Sequence, residues 1–311
     1  MRARRGRLQD RPPHPADVSN KEVHIVEQAI EIRNFTKEYK EFSIRDMNLA
    51  IPKGYITGFV GRNGAGKSTA LKGILNMYRF GGEIQVLGMD SRKQEQEIKN
   101  RLGVVLSEDG FIEDIPVRQF IRIVRPFYSS WQEETFQRLA GRFSLSMDKK
   151  VSELSRGMRV KLALAIALSH NAELFLLDEP TAGLDPMVRD EILDIFMELI
   201  QDEEKTVFFS THITSDLDKV ADYIVLIEQG EIILNQPKDE LLDEHILIQG
   251  DKKDLDSACQ DALVGWKEHK FGFEGLAKRS KLRDAGRFVK EKPNVEQLMT
   301  YYIRGIEHEC D

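Results

Sequence analysis

Residues Tyr55 to Tyr78 limit what this chain can fold into more than any other stretch. An apolar, β-prone run, Tyr55-Ile56-Thr57-Gly58-Phe59-Val60, leads into Gly61-Arg62-Asn63-Gly64-Ala65-Gly66-Lys67-Ser68-Thr69, and Ala70 to Leu75 follow at helical spacing. Strand, Gly-x-x-x-x-Gly-Lys-Ser loop and helix, in that order, make a phosphate-binding P-loop in the setting it requires. The glycines let backbone N–H groups turn inward as a ring of donors, and the following helix points its positive end at the same spot. Lys67 adds a point charge for the β- and γ-phosphates, and the Ser68 hydroxyl is placed to ligate Mg²⁺. The stretch reads as a nucleoside triphosphate site.

Two later strand ends carry matching chemistry. Leu174-Phe175-Leu176-Leu177 is an apolar run that closes on Asp178-Glu179-Pro180, a Walker B pattern. In a parallel sheet the carboxyl ends of the strands face the ligand crevice. Asp178 there reaches Mg²⁺, directly or through water, and Glu179 polarises the water that attacks the γ-phosphate. The next buried-strand segment, Thr206 to Thr211, ends at His212, which its strand carries to the same edge. Its expected role is to stabilise the transferring phosphoryl group and orient the water. Ser155-Arg156-Gly157, ahead of the apolar helix Val160 to Leu168, is a second anion-binding arrangement of hydroxyl, glycine turn and helix N-terminus. Beside a P-loop it is redundant, unless two subunits face each other and each completes the other's site.

Around these motifs the chain alternates strands with helices, which implies a mostly parallel, helix-covered sheet. Ala29 to Phe35 and Phe42 to Ile51 are strand-like, the second with the alternation of a half-buried antiparallel strand. Pro52-Lys53-Gly54 reads as a turn, Gly81-Gly82 as a turn before the strand Glu83 to Gly88, and Gln229-Gly230 as a two-residue hairpin between strands. Ser91 to Arg101 and Glu191 to Gln201 read as helices, Leu102 to Leu106 as a buried strand, and Pro116 to Phe143 as an all-helical insertion. Beyond His245 short strands at Ile246–Ile248, Phe271–Phe273 and Arg287–Val289 precede a final helix, Asn294 to Ile303. A basic cluster there (Lys278, Arg279, Lys281, Arg283, Arg287, Lys290, Lys292) reads as a solvated face, with membrane or partner contact as the alternative.

Met1 to Lys21 is arginine- and proline-rich without an apolar core, a disordered basic leader rather than a signal peptide, with translation from near Val18 as one reading. The 311 residues carry seven more acidic than basic side chains, so no global basic footprint for nucleic acid exists. Cys259 and Cys310 lack metal-site spacing and read as reduced thiols of a cytosolic protein. No stretch reaches the roughly 18 consecutive apolar residues of a membrane span, so any membrane part comes from another polypeptide.

From about Ile30 to Leu242 these residues resemble the ATP-binding subunits of ABC transporters. Lys67 in the Walker A loop, Ser155-Arg156-Gly157-Met158 at the signature, Asp178-Glu179, Gly183-Leu184-Asp185 as D-loop and His212 as switch histidine stand in the family's order. The resemblance implies an α/β fold, an ABC cassette over 29–245. Its expected parts are a mostly parallel core sheet, an antiparallel β-subdomain and a helical lobe near 111–158. A leader at 1–28 and a small α+β region at 246–311 flank it. It also implies ATP with Mg²⁺ and hydrolysis, Tyr39 stacked on adenine, and Ser155, Gly157 and Asp185 around a partner's nucleotide. Transmembrane permease subunits and a second cassette are the implied partners, at the inner face of the cell membrane. Two departures stand out: Arg156 and Met158 replace a Gly and the Gln of Leu-Ser-Gly-Gly-Gln, and no glutamine follows Val104-Val105-Leu106, where Ser107-Glu108 stand instead. Ser107 and Glu108 are the candidates there for a water-mediated contact to Mg²⁺. Those departures and the ending Leu298 to Gly305 are similar to exporter-type subunits related to bacitracin-resistance and acetoin-utilisation transporters. Two other readings compete. One is a soluble ATPase of this family acting on ribosomes or DNA, against which one cassette without coiled-coil or zinc insertions argues. The other is a nucleotide-gated module without turnover, against which Lys67, Asp178, Glu179 and His212 argue.

Overall fold

The central sheet explains why the buried strands lack alternation. In the computed structural model, which describes residues 27–106, 111–283 and 285–310, it contains β3 (Ile56–Val60), β6 (Leu102–Val105), β7 (Leu174–Asp178), β8 (Thr206–Thr211), β9 (Tyr223–Glu228) and β10 (Glu231–Pro237). Their order is β10-β9-β3-β8-β7-β6, parallel throughout except for the β9–β10 hairpin. Every residue of β3, β7, β8 and β9 is buried, because both faces of a parallel sheet are covered. Successive side chains go to opposite faces. Phe175 and Leu177 enter one core, Leu174 and Leu176 the other. The first core is closed by α3 (Val117–Val124), α4 (Glu133–Arg142), α5 (Arg156–Ser169), α6 (Pro186–Leu199) and α7 (Thr214–Val220).

The second core lies under α1 (Lys67–Ile74) and an antiparallel sheet of β1 (Gln28–Glu38), β2 (Ser43–Pro52), β4 (Gly81–Val86) and β5 (Met89–Asp90), ordered β2-β1-β4-β5. Here the turn expected at Gly81-Gly82 is corrected: both glycines belong to β4, opposite a register shift in β1 between Arg33 and Thr36. Gly82 has φ +83°, and a Cβ on it would lie 2.3 Å from the Asn34 carbonyl oxygen. The glycines thus serve a bulge where two backbones meet, not a chain reversal. The reversal sits at Leu87-Gly88, φ +50° and +74°, a pair of positive values like the +48° and +86° of Gln229-Gly230 at its hairpin.

Helices α5 and α6 begin earlier than apolar spacing indicates, at Arg156 and Pro186, because Ser155 and Asp185 cap them and Pro186 takes the first helical position. The short α2 (Glu95–Asn100) leads into β6. Past α8 (Lys238–Glu244), a second antiparallel sheet comprises β11 (His245–Gly250), β12 (Leu263–His269), β13 (Gly272–Lys278) and β14 (Val289–Glu291), ordered β12-β13-β11-β14. Strand β12 has no apolar alternation, only Gly265 being buried along it, and was therefore not predicted. α9 (Ser257–Gln260) precedes it, and α10 (Val295–Cys310) packs Leu298 and Tyr301 into the core that also holds β7 and α7. The basic residues expected on a solvated face are exposed, and three of them also bind their own region: Arg287 pairs with Asp256, Lys292 with Asp243, and Arg279 donates to the His245 carbonyl oxygen. Cys259 is buried. The leader up to residue 26 and the Ser107-Glu108 positions lie outside the described residues.

One buried group gives the fold a pH dependence. His170, at the end of α5, is 1% exposed, stacks on Tyr128 at 3.8 Å, and neither ring nitrogen has a hydrogen-bond partner. Burial pushes its pKa down from 6.5 to about 4. The unfolded chain therefore takes up this proton first as pH falls. Stability is complete above about pH 6.5 and declines toward pH 4. Between pH 7 and 5 the wild type should lose about 2 kcal/mol more than His170→Phe, which keeps the stack. Urea unfolding of both proteins at the two pH values measures this; equal losses would show that His170 does not titrate this way.

Candidate functional site

The P-loop lies where β3 delivers it, between β9 and the first antiparallel sheet. At Gly61 a Cβ would fall 2.2 Å from the Ile227 carbonyl oxygen, so the loop lies flat on β9 only as glycine. Gly66, at φ +115°, caps α1, and no side chain occupies that cap. The first-turn N–H groups are thus left for an anion. Lys67 is 6% exposed and folded back over its own loop. Its Nζ donates to the carbonyl oxygens of Gly61 (2.8 Å) and Arg62 (3.2 Å) and stands 3.6 Å from Glu179 Oε1.

The ends of β7 and β8 form the facing wall. Asp178 is 1% exposed, and its Oδ1 accepts the Ser210 hydroxyl at 2.6 Å. The same hydroxyl oxygen accepts the Glu179 backbone N–H at 2.9 Å. Ser210 thus fixes both carboxylate residues from the neighbouring strand. Glu179 sits at φ +51°, a conformation costing roughly 1 kcal/mol or more outside glycine. Its side chain is held from two sides, by Lys67 and by His212, whose Nδ1 lies 2.7 Å from Oε2. With Nδ1 so engaged, Nε2 is the nitrogen of His212 left to meet a ligand.

Lys67, Glu179 and His212 converge on one cleft of about 530 Å³, lined by Asn63, Gly64, Gly66, Lys67, Ser68 and Thr69 from the loop, with Glu179 and His212 opposite; Asp178, one residue before Glu179, lines a neighbouring pocket with it instead. A hydroxyl (Ser68) and a carboxylate (Asp178) are the hard oxygen donors that suit Mg²⁺. The loop, its uncapped helix and Lys67 suit a polyphosphate. Tyr39 is half exposed, edge-on to Tyr78 at 6.4 Å and beneath the Lys37 ammonium at 5.1 Å. It is not among the residues lining the cleft; its backbone N–H donates to the carbonyl oxygen of Phe42 at 2.8 Å, and Phe42 lines the cleft. Sequence reading missed Phe42 and Ser210; the polar end of an otherwise apolar strand was the available signal for Ser210.

Ser155, Gly157 and Asp185 come together elsewhere. They line a separate groove of about 150 Å³ at the paired N-termini of α5 and α6. Ser155 Oγ accepts Met158 N–H, and Asp185 Oδ1 accepts Met187 and Val188 N–H. A Cβ on Gly157 would lie 2.9 Å from Val188 Cγ1, which keeps the two helix starts in contact. Arg156 borders both this groove and the P-loop cleft.

A family model described as ABC transporter matches residues 44–182, and one for an AAA domain overlaps it at 150–217. The bacitracin transport ATP-binding protein BcrA of Enterococcus faecalis is 30% identical over 213 residues, 67% of this chain and 69% of that protein. The ABC transporter ATP-binding protein NatA of Bacillus subtilis is 35% identical over 61% of this chain and 80% of its own length. The lantibiotic transport ATP-binding protein SrtF of Streptococcus pyogenes is 31% identical over 71% and 98%. Among solved structures, a dimeric post-hydrolysis state of the ATP-binding cassette MJ0796 bound to ADP and Pi superposes with a TM-score of 0.59 at 23% identity, over 67% of this chain and 98% of that one.

Proposed function

The chain belongs to the ATP-binding subunits of ABC transporters, a family of ATPases, and on that premise we propose that two cassettes close head to tail around two ATP molecules to drive export through separate membrane subunits. The observation that carries this reading is a division of labour. Lys67, Glu179 and His212 meet at one cleft, whereas Ser155, Gly157 and Asp185 line a second groove, bordered by Arg156 and Lys161, without a P-loop of its own. Each groove completes a site only when set against another copy's cleft, or a paralogue's.

The chemistry follows from the resting contacts. A triphosphate draws Lys67 from the Gly61 and Arg62 carbonyls onto its β- and γ-oxygens. Glu179, released from Lys67 but still fixed by Ser210, accepts a proton from the attacking water. His212 orients that water and hydrogen-bonds the developing charge on the γ-phosphoryl oxygens. Ser68 and Asp178 would hold Mg²⁺, whose chemistry when bound is to neutralise charge on the phosphate oxygens.

Among the described residues no helix is long and apolar enough to cross a membrane; the crossing is assigned to permease subunits, with this chain at the inner face. Relatives named for bacitracin and lantibiotic transport support the transport role, and the one named for Nod factor export supports the outward direction. The permease surface we assign is a groove of about 650 Å³ between α2 and the helical lobe, where Phe127 is 76% and Met77 54% exposed. Phe127→Glu should reduce copurification of the membrane subunits from detergent extracts at least about tenfold, since a charge in an apolar contact leaves an unpaired buried group. ATP hydrolysis by the purified chain should stay within about twofold. Undiminished copurification would remove this face from the interface.

A further inference from the structure

We infer that Asp216 is the positioning residue that ties the hydrolytic strand ends to helix α6, so that Glu179 and His212 keep their places only while α6 keeps its own. This deepens the two-cassette reading and rests on it. Asp216 lies four residues beyond His212, in α7, and is completely buried. A carboxylate so deep persists only when paired and hydrogen-bonded, and its partners come from two places. Its Oδ2 accepts the Thr181 hydroxyl at 2.6 Å and its Oδ1 accepts Arg189 Nε–H at 2.5 Å. The same guanidinium also donates to Ser215 Oγ at 2.5 Å.

Each partner leads to a functional element. Thr181 is in the turn directly after Glu179-Pro180. Arg189 is in the first turn of α6, and its backbone N–H donates to the Asp185 carbonyl oxygen at 3.0 Å. Val188, beside it, is the residue against which Gly157 packs. The groove that would receive the partner's phosphate is therefore built on the same helical turn that grips Asp216. Ser210 fixes Glu179 from the strand side; Asp216 fixes the turn on its other side and the helix that follows His212. A shift of α6 on closure is passed to both hydrolytic side chains through one carboxylate.

A purely structural ion pair and a positioning residue differ in which kinetic constant they move. In the full-length chain Asp216→Asn, which keeps shape and removes the charge, should lower kcat about tenfold or more, with KM and nucleotide affinity within about twofold. Thr181→Val removes one hydroxyl and leaves the Arg189 pair intact. It should lower kcat about three- to fivefold with KM within about twofold and Tm down by a few degrees, and Thr181→Ser should restore both kcat and Tm. If Asp216→Asn fails to fold, the two Thr181 variants decide alone. A Thr181→Val enzyme within twofold of wild-type kcat overturns the inference. So does a kcat loss matched by an equal loss of affinity in either variant. A wild-type chain that does not hydrolyse ATP would instead sink the function proposed above and leave these contacts as packing.

Discussion

Glu179→Gln should bind ATP about as tightly as the wild type, lose turnover by about 10²- to 10⁴-fold, and accumulate as a two-cassette complex on ATP. The amide keeps the shape: its oxygen can still face Lys67, its NH₂ can still face His212 Nδ1, and the backbone N–H still meets Ser210. It cannot take the water's proton. Loss of a positioned general base accounts for that range of rate. The bound triphosphate then stays intact between a P-loop and the partner's Ser155–Gly157 groove, and the complex has no route to reopen. Single-turnover hydrolysis together with light scattering in ATP measures both parts. Turnover like that of the wild type would take the base role from Glu179. Lost turnover with a monomer throughout would spare the base and break the two-cassette proposal.

Lys67→Met should act one step earlier, on binding. The ammonium is almost fully buried and makes two hydrogen bonds to carbonyl oxygens that a polyphosphate must replace. Charge-assisted hydrogen bonds contribute about 1.5–3 kcal/mol each, so affinity for ATP should fall on the order of a hundredfold. Methionine matches the stem in length and apolar character, so the loop should stay folded, with Tm close to wild type. Equilibrium binding of a fluorescent ATP analogue reads the effect. Affinity within threefold of wild type would mean that the loop's backbone N–H groups hold the phosphates without Lys67. The two variants separate cleanly: one binds without turnover, the other fails to bind.

Much of this site was legible because its signals are local. The P-loop, the Asp178-Glu179 strand end and the Gln229-Gly230 hairpin each occupy a few consecutive residues, and each backbone need selects its own residue type. His212 was legible one level up, from the rule that parallel strand ends share an edge. The Gly81-Gly82 bulge was misread because paired glycines serve a turn and a close backbone approach equally well. Which one they serve depends on Asn34, nearly fifty residues earlier. Strand β12 was missed because it pairs in the sheet with hardly a buried side chain.

By itself the sequence determined where the P-loop, the Asp178-Glu179 strand end and His212 would fall, because covalent neighbours and strand direction settle those placements. Only the tertiary structure decided what holds them there. Ser210 reaches Asp178 across 32 residues of chain and Thr181 reaches Asp216 across 35. It also decided that Ser155, Gly157 and Asp185 form a groove apart from the P-loop cleft. Hydrogen bonds between distant residues depend on how strands and helices pack, and packing is a property of the whole core that no short pattern carries.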